Sequence, residues 1–168
     1  TLTIGSAGID MSTATQAIVL HSKIQIGASQ SWVITDANTQ GNVAGFNNNE
    51  DLAFASLAAG TAFNFGGNTV TTSGNGYVTI SSGYTLSNGT LNTGNNLFVI
   101  QGGGSRVTTL NSDLNLVVSS GRLRIGAQSG VSGVSLVSNS PLTVNGGAFE
   151  IWNNQANSVT QAGNVTLN

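Results

Sequence analysis

The chain has no cysteine, one proline and one histidine in 168 residues, and only 6% of its residues are charged. Each shortage excludes something. Without thiols there is no disulfide framework, no thiolate metal site and no cysteine nucleophile, although secretion stays open. Four basic residues, Lys23, Arg106, Arg122 and Arg124, are too few to track a phosphate backbone, which excludes nucleic acid as a partner. No apolar run approaches the roughly 18–20 residues of a membrane span. Strong helix signals are missing as well. The best window, 50–59, holds Leu52, Phe54 and Leu57, yet its apolar residues also alternate as in a strand. No signal peptide opens the chain. Leu2 and Ile4 begin a strand pattern at once, and Val165 and Leu167 close on another. Both ends are expected to be cut from a longer protein, with any signal or anchor outside this segment.

What the chain has in quantity is glycine and small polar side chains. There are 23 Gly, 21 Asn, 20 Ser and 19 Thr, about half the sequence. Such a composition fits disorder, but 39% of residues are hydrophobic and they recur in short alternating runs. Apolar pairs spaced i, i+2 include Leu2/Ile4, Ile24/Ile26, Trp32/Ile34, Phe63/Phe65, Val78/Ile80, Leu114/Leu116, Leu123/Ile125, Leu142/Val144, Phe149/Ile151 and Val165/Leu167. Each pair places two side chains on one face of a strand. Between them lie Gly- and Asn-rich turns such as Gly66-Gly67-Asn68, Gly74-Asn75-Gly76 and Ser87-Asn88-Gly89. These residues accept the left-handed backbone of sharp corners.

Strands this short and this numerous fit a coiled solenoid better than a sandwich. The spacing agrees. Leu2 to Ile24 and Ile4 to Ile26 share one offset, 22; Leu123 to Phe149 and Ile125 to Ile151 share another, 26; Leu142 to Val165 and Val144 to Leu167 share a third, 23. Gly83, Gly102 and Gly121 follow at intervals of 19. A period of 19–26 with variable corners predicts an all-β, right-handed parallel β-helix running as one segment over 1–168. Division by a mean period near 22 predicts seven to eight coils, about 35 Å tall at ~4.8 Å per coil.

Several of these rungs carry a further signal. The run Leu2-Thr3-Ile4-Gly5-Ser6-Ala7-Gly8-Ile9-Asp10, followed by Ile24 to Trp32 with its Ala-Ser-Gln-Ser-Trp, resembles the autotransporter-associated β-strand repeat. Gly121-Arg122-Leu123-Arg124-Ile125 and Gly147-Ala148-Phe149-Glu150-Ile151 are similar to its Gly-Gly-Thr-Leu-x-Leu rung. The resemblance is best over 1–35 and 121–168; residues 40–110 share only the composition. It implies a passenger-type β-helix of a large bacterial surface or secreted protein, and brings no catalytic residue with it.

Enzymatic readings have little to stand on. Carbohydrate chemistry needs clustered carboxylates, and the six acids, Asp10, Asp36, Glu50, Asp51, Asp113 and Glu150, are scattered. Stacking would bring together at best Asp10 and Asp36, about one coil apart along the chain. A Ser22, His21 and Asp10 triad carries little information among so many serines. Asn47, Asn48, Asn49, Glu50 and Asp51 offer oxygen ligands for calcium but lack the spacing of an established loop. Gly102, Gly103 and Gly104 read as a corner, since no Walker-type Lys follows. No metal or cofactor is expected.

Binding is the alternative. Trp32 shares a face with Ile34 and belongs to the core, whereas Trp152 alternates with Ile151 and points outward, which makes it the candidate contact for a glycan. Tyr77 and Tyr84 are secondary candidates. Thr69, Thr71, Thr72 and Thr79 hint at an ice-binding array without recurring at every coil. Asn95, Asn96, Asn153 and Asn154 are candidates for hydrogen-bonded ladders along the axis, and Arg122 and Arg124 for solvated neighbours on one strand face. The leading expectation is a non-enzymatic extracellular rod or fibre segment, partnered end to end by neighbouring repeats or identical subunits. An adhesin for glycans or cell surfaces is the alternative.

Overall fold

A computed structural model describes residues 1–36, 51–56, 58–103, 106–127, 133–152 and 157–168. Among these residues there are eighteen strands and no helix. The first coil is β1 (Leu2–Ile4), β2 (Ile9–Met11) and β3 (Ile18–Leu20); the second is β4 (Ile24–Ile26), β5 (Gln30–Ile34) and β6 (Leu52–Phe54). The third joins two faces in one bent strand, β7 (Thr61–Ser73), followed by β8 (Tyr77–Ile80), and the fourth repeats this with β9 (Tyr84–Thr93) and β10 (Leu97–Gly102). Then come β11 (Thr108–Leu110), β12 (Leu114–Val118) and β13 (Arg122–Ala127), and after them β14 (Gly133–Ser138), β15 (Leu142–Val144) and β16 (Ala148–Trp152). β17 (Asn157–Gln161) and β18 (Val165–Leu167) lie on top.

Neighbouring coils pair in parallel throughout. One face stacks β1, β4, β7, β9, β11, β14 and β17; a second stacks β2, β5, β7, β9, β12, β15 and β18; the third stacks β3, β6, β8, β10, β13 and β16. The chain is therefore a parallel β-solenoid. The six strands of the third face make five turn-to-turn steps, about 24 Å at ~4.8 Å each. This is fewer than the seven to eight coils expected. Equal division fails because one coil is long. Ile24 pairs with Phe63, and that step is nearly twice the step from Leu2 to Ile24 or from Phe63 to Leu86. The evenly spaced glycines are not equivalent either. Gly102 pairs with Ala127 at the end of a strand, while Gly121 occupies the corner just before β13.

The window at 50–59 contains the strand β6 rather than a helix. Its Leu52 and Phe54 lie in register with Val78 and Ile80 of the next coil, so the alternation decides. On the third face one inward column runs Leu20, Phe54, Ile80, Ile100, Ile125 and Ile151, and a second runs Ile18, Leu52, Val78, Phe98, Leu123 and Phe149. The middle members of both are fully buried, each contributing about 1.5–3 kcal/mol of transfer free energy. Across the axis, Trp32 stacks on Phe54 with centroids 5.3 Å apart, and Phe63 meets Phe54, Phe65 and Tyr84 at 5.0, 5.3 and 5.7 Å. Three faces thus contribute one aromatic cluster.

Corners carry the polar work. Side-chain amides of Gln30, Asn68, Asn96 and Gln161 donate to carbonyls of the preceding coil, at Ile4, Ile26, Ser73 and Ser140 respectively. Among the described residues one Asn–Asn side-chain pair links coils, Asn168 to Asn145 at 2.7 Å, at other positions than the expected ladder; Asn96 bonds backbone instead, and Asn153 and Asn154 lie outside the described residues. Gly121 (φ 63°) and Gly147 (φ 73°) sit one above the other at a corner where the chain presses on its predecessor. A Cβ at Gly121 would lie 2.2 Å from the Gly94 carbonyl oxygen.

Two outcomes are expected. Gly121→Ala combines left-handed backbone strain with a backbone clash, so it lowers stability by about 2–4 kcal/mol, whereas Gly5→Ala, with nothing within 4 Å, stays within about 0.5 kcal/mol. Thermal melts of the two variants check this. Tyr84 is buried with its hydroxyl donating to the Ser22 carbonyl at 2.8 Å. Burial raises its pKa above the ordinary phenol value, and the hydrogen bond only partly opposes this. The folded chain then keeps a proton that the unfolded chain loses, so stability falls as pH rises past about 10. Urea titrations at neutral and alkaline pH should show that Tyr84→Phe loses less stability with pH than the parent chain.

Candidate functional site

The most chemically equipped surface among the described residues lies on the outer side of β13 and β16. Their register sets Arg122 beside Ala148, Arg124 beside Glu150 and Gly126 beside Trp152. Leu123 and Ile125 point into the core, so the alternate residues of both strands point out. Glu150 divides its carboxylate between two cations: Arg124 Nε donates to Oε2 at 2.8 Å and Arg122 Nε lies 3.2 Å from Oε1. The guanidinium of Arg124 also covers the Trp152 ring, 4.2 Å from its centroid. Arg124 is the more sheltered of the pair, with 17% of its side chain exposed against 49% for Arg122. The two arginines are thus not independent solvated side chains. Their partner is readable from the sequence, because the step that matches Leu123 to Phe149 also matches Arg124 to Glu150.

Trp152 is exposed, at 59%, as its alternation predicts. Ile151 departs from that pattern. It continues the inward column above Ile125, yet it is 51% exposed, because β16 is the last strand of its face among the described residues. Trp32 is fully buried, and its Nε1 donates to Gln30 Oε1 at 3.0 Å.

The remaining candidates disperse. Tyr84 is a core residue and unavailable to a ligand; Tyr77 is partly buried and its backbone N–H donates to Asp51 Oδ2 at 2.7 Å. Asp10 pairs in register with Val33, which leaves Asp36 out of step beyond the end of β5, so stacking does not join the two carboxylates. The Ser12 hydroxyl and backbone N–H hold the Asp10 carboxyl below the ordinary carboxylate range. His21 follows β3, on a different face from Asp10, and its Nδ1 lies 3.0 Å from the Ala55 carbonyl oxygen. The Ser22 carbonyl serves Tyr84. No triad geometry forms. A shallow depression of about 170 Å³ is lined by His21, Ser22, Lys23, Ala58 and Thr61. Asn47, Asn48, Asn49 and Glu50 lie outside the described residues, while Asp51 is buried. Among the described residues no three His, Asp or Glu side chains gather at one point.

Thr72 and Thr79 are buried, so the four threonines form no continuous outer array. Thr79 Oγ1 has no hydrogen-bond partner among the described residues, and its neighbours in register are Ala53 and Val99. Exchanging the hydroxyl for a methyl removes an unmet polar group at constant shape. Thr79→Val should therefore raise stability by about 1 kcal/mol in chemical denaturation; a loss of stability would show that the hydroxyl is satisfied.

Comparison with protein-family models, with curated proteins and with solved structures returned no match.

Proposed function

We propose that the chain is a structural segment of an extracellular rod in a bacterial surface or secreted protein, stacking through its terminal coils on coils of the same kind. The observation that carries this reading is where apolar surface remains uncovered. Among the described residues the exposed large hydrophobic side chains are Leu2 and Ile18 in the first coil, and Ile151, Trp152, Val165 and Leu167 in the uppermost strands. Apart from Trp152, each belongs to an inward column that ends there. Two of these columns are also apolar at both ends. Leu167 tops the column that begins at Ile9, and Ile151 tops the one that begins at Leu20.

A coil of identical geometry placed on either end continues those columns and pairs the open strand edges. Between copies this contact is head to tail, and such contacts build open filaments. Within a longer chain, further coils make the same contact. The repeat resemblance and the sparsely charged, Thr-, Ser- and Asn-rich composition support an extracellular setting. The dispersal of Asp10, Asp36 and His21 supports a role other than catalysis.

The purified chain should form linear assemblies visible by electron microscopy, with a sedimentation coefficient that rises with concentration. Val165→Asp combined with Leu167→Asp, both at exposed positions, should leave a folded monomer. A wild-type chain that stays monomeric up to about millimolar concentration, equivalent to less than ~4 kcal/mol of contact, would sink the stacking reading.

A further inference from the structure

We infer that the outer side of β13 and β16 is a binding site for a carboxylated sugar, with Trp152 as the stacking platform and Arg122 as the carboxylate contact. Trp152 is the one exposed aromatic side chain among the described residues; Trp32, Phe54, Phe63, Phe65, Tyr84 and Phe98 are fully buried. It is also held in place. Arg124 lies against one face of the ring, and Arg124 is itself fixed by Glu150. Gly126, opposite Trp152 in register, lets the Trp152 backbone lie close: a Cβ there would come within 3.0 Å of the Trp152 Cβ and carbonyl oxygen. A ring fixed from one side and exposed overall offers its other face without the ordering cost of a mobile platform. The apolar C–H face of a pyranose stacks on such a surface.

The charges select the kind of sugar. Arg122, Arg124 and Glu150 sum to one positive charge, on a chain of net charge −2. Arg124 is spoken for by both Glu150 and the indole. Arg122 faces Glu150 through Nε at 3.2 Å, is half exposed, and keeps its Nη groups for a planar anion. A carboxylate on the stacked sugar fits this fork, and Glu150 disfavours a second negative group close by. A purely structural role, latching β16 onto β13, would use the same contacts without needing an exposed indole.

The test uses a tetrasaccharide of β-1,4-linked glucuronic acid and its neutral carboxyl-reduced counterpart, titrated calorimetrically into the whole chain. The acid should bind about tenfold more tightly than the neutral sugar, which corresponds to ~1.4 kcal/mol. Trp152→Ala should weaken the acid by about tenfold or more, with Trp152→Phe retaining part of the affinity. Arg122→Gln should abolish the preference for the acid over the neutral sugar. Circular dichroism and melting temperature accompany each variant. Should Trp152→Ala misfold, the exposed Arg122→Gln decides alone. Equal affinity for the two sugars, no binding by the folded wild-type chain, or wild-type affinity in folded Trp152→Ala would each overturn the assignment. None of these outcomes touches the stacking of terminal coils, which sedimentation reads separately.

Discussion

Register between successive coils is the constraint from which the other features follow. In a parallel stack each residue has its counterpart one coil away, so every strand inherits the alternation of the one beneath it. Leu2 on Ile24, Phe98 on Leu123 and Leu142 on Val165 are instances of one rule. Core, corners and outer surface become columns rather than patches. The core columns are mainly apolar, with Gln30, Thr72, Tyr84, Thr93, Thr108 and Ser138 as buried polar members. Corners repeat a different demand: the chain must turn while lying within a backbone's thickness of its predecessor. Glycine meets this at Gly121 and Gly147, and amide side chains meet it at Gln30, Asn68, Asn96 and Gln161.

Where two equivalent strands are both regular, the sequence is legible. The offsets of Leu2 to Ile24, Leu123 to Phe149 and Leu142 to Val165 reproduce the observed register position by position. Legibility fails where a corner grows. Between Ile34 and Leu52 the chain lengthens without adding a strand among the described residues, so that coil nearly doubles and the count of turns falls. Periodicity cannot see this, because the strands on either side keep their alternation whatever lies between them. The bends inside β7 and β9 are hidden for the converse reason, since one continuous strand serves two faces.

The outer surface is less legible than the core. Weighing each acid for catalysis in isolation leaves Glu150 apart from Arg124, although the matching of Leu123 to Phe149 already fixes that neighbour. Tyr84 alternates with Leu86 and stands directly over Thr61, and the alternation alone marks it as inward. Thr79 misleads because it lies on the outer side of β8 and is nevertheless buried. In a chain with so few charges, outward-pointing and exposed are separate properties. The concentration of three of its ten charges around Trp152 is for that reason the strongest departure from uniformity on the surface.

The corner amides have a direction. Each donates backward, from its own coil to a carbonyl of the coil already laid down. An incoming coil therefore brings its own latch, and the finished part of the stack needs only to display carbonyl oxygens. A rod wired this way can be assembled in chain order, one turn at a time. Its two ends differ in kind, since the leading end displays carbonyl acceptors for the next latch and the trailing end has no coil behind it to receive one. Growth, fraying and repair would then proceed unequally at the two ends of the axis.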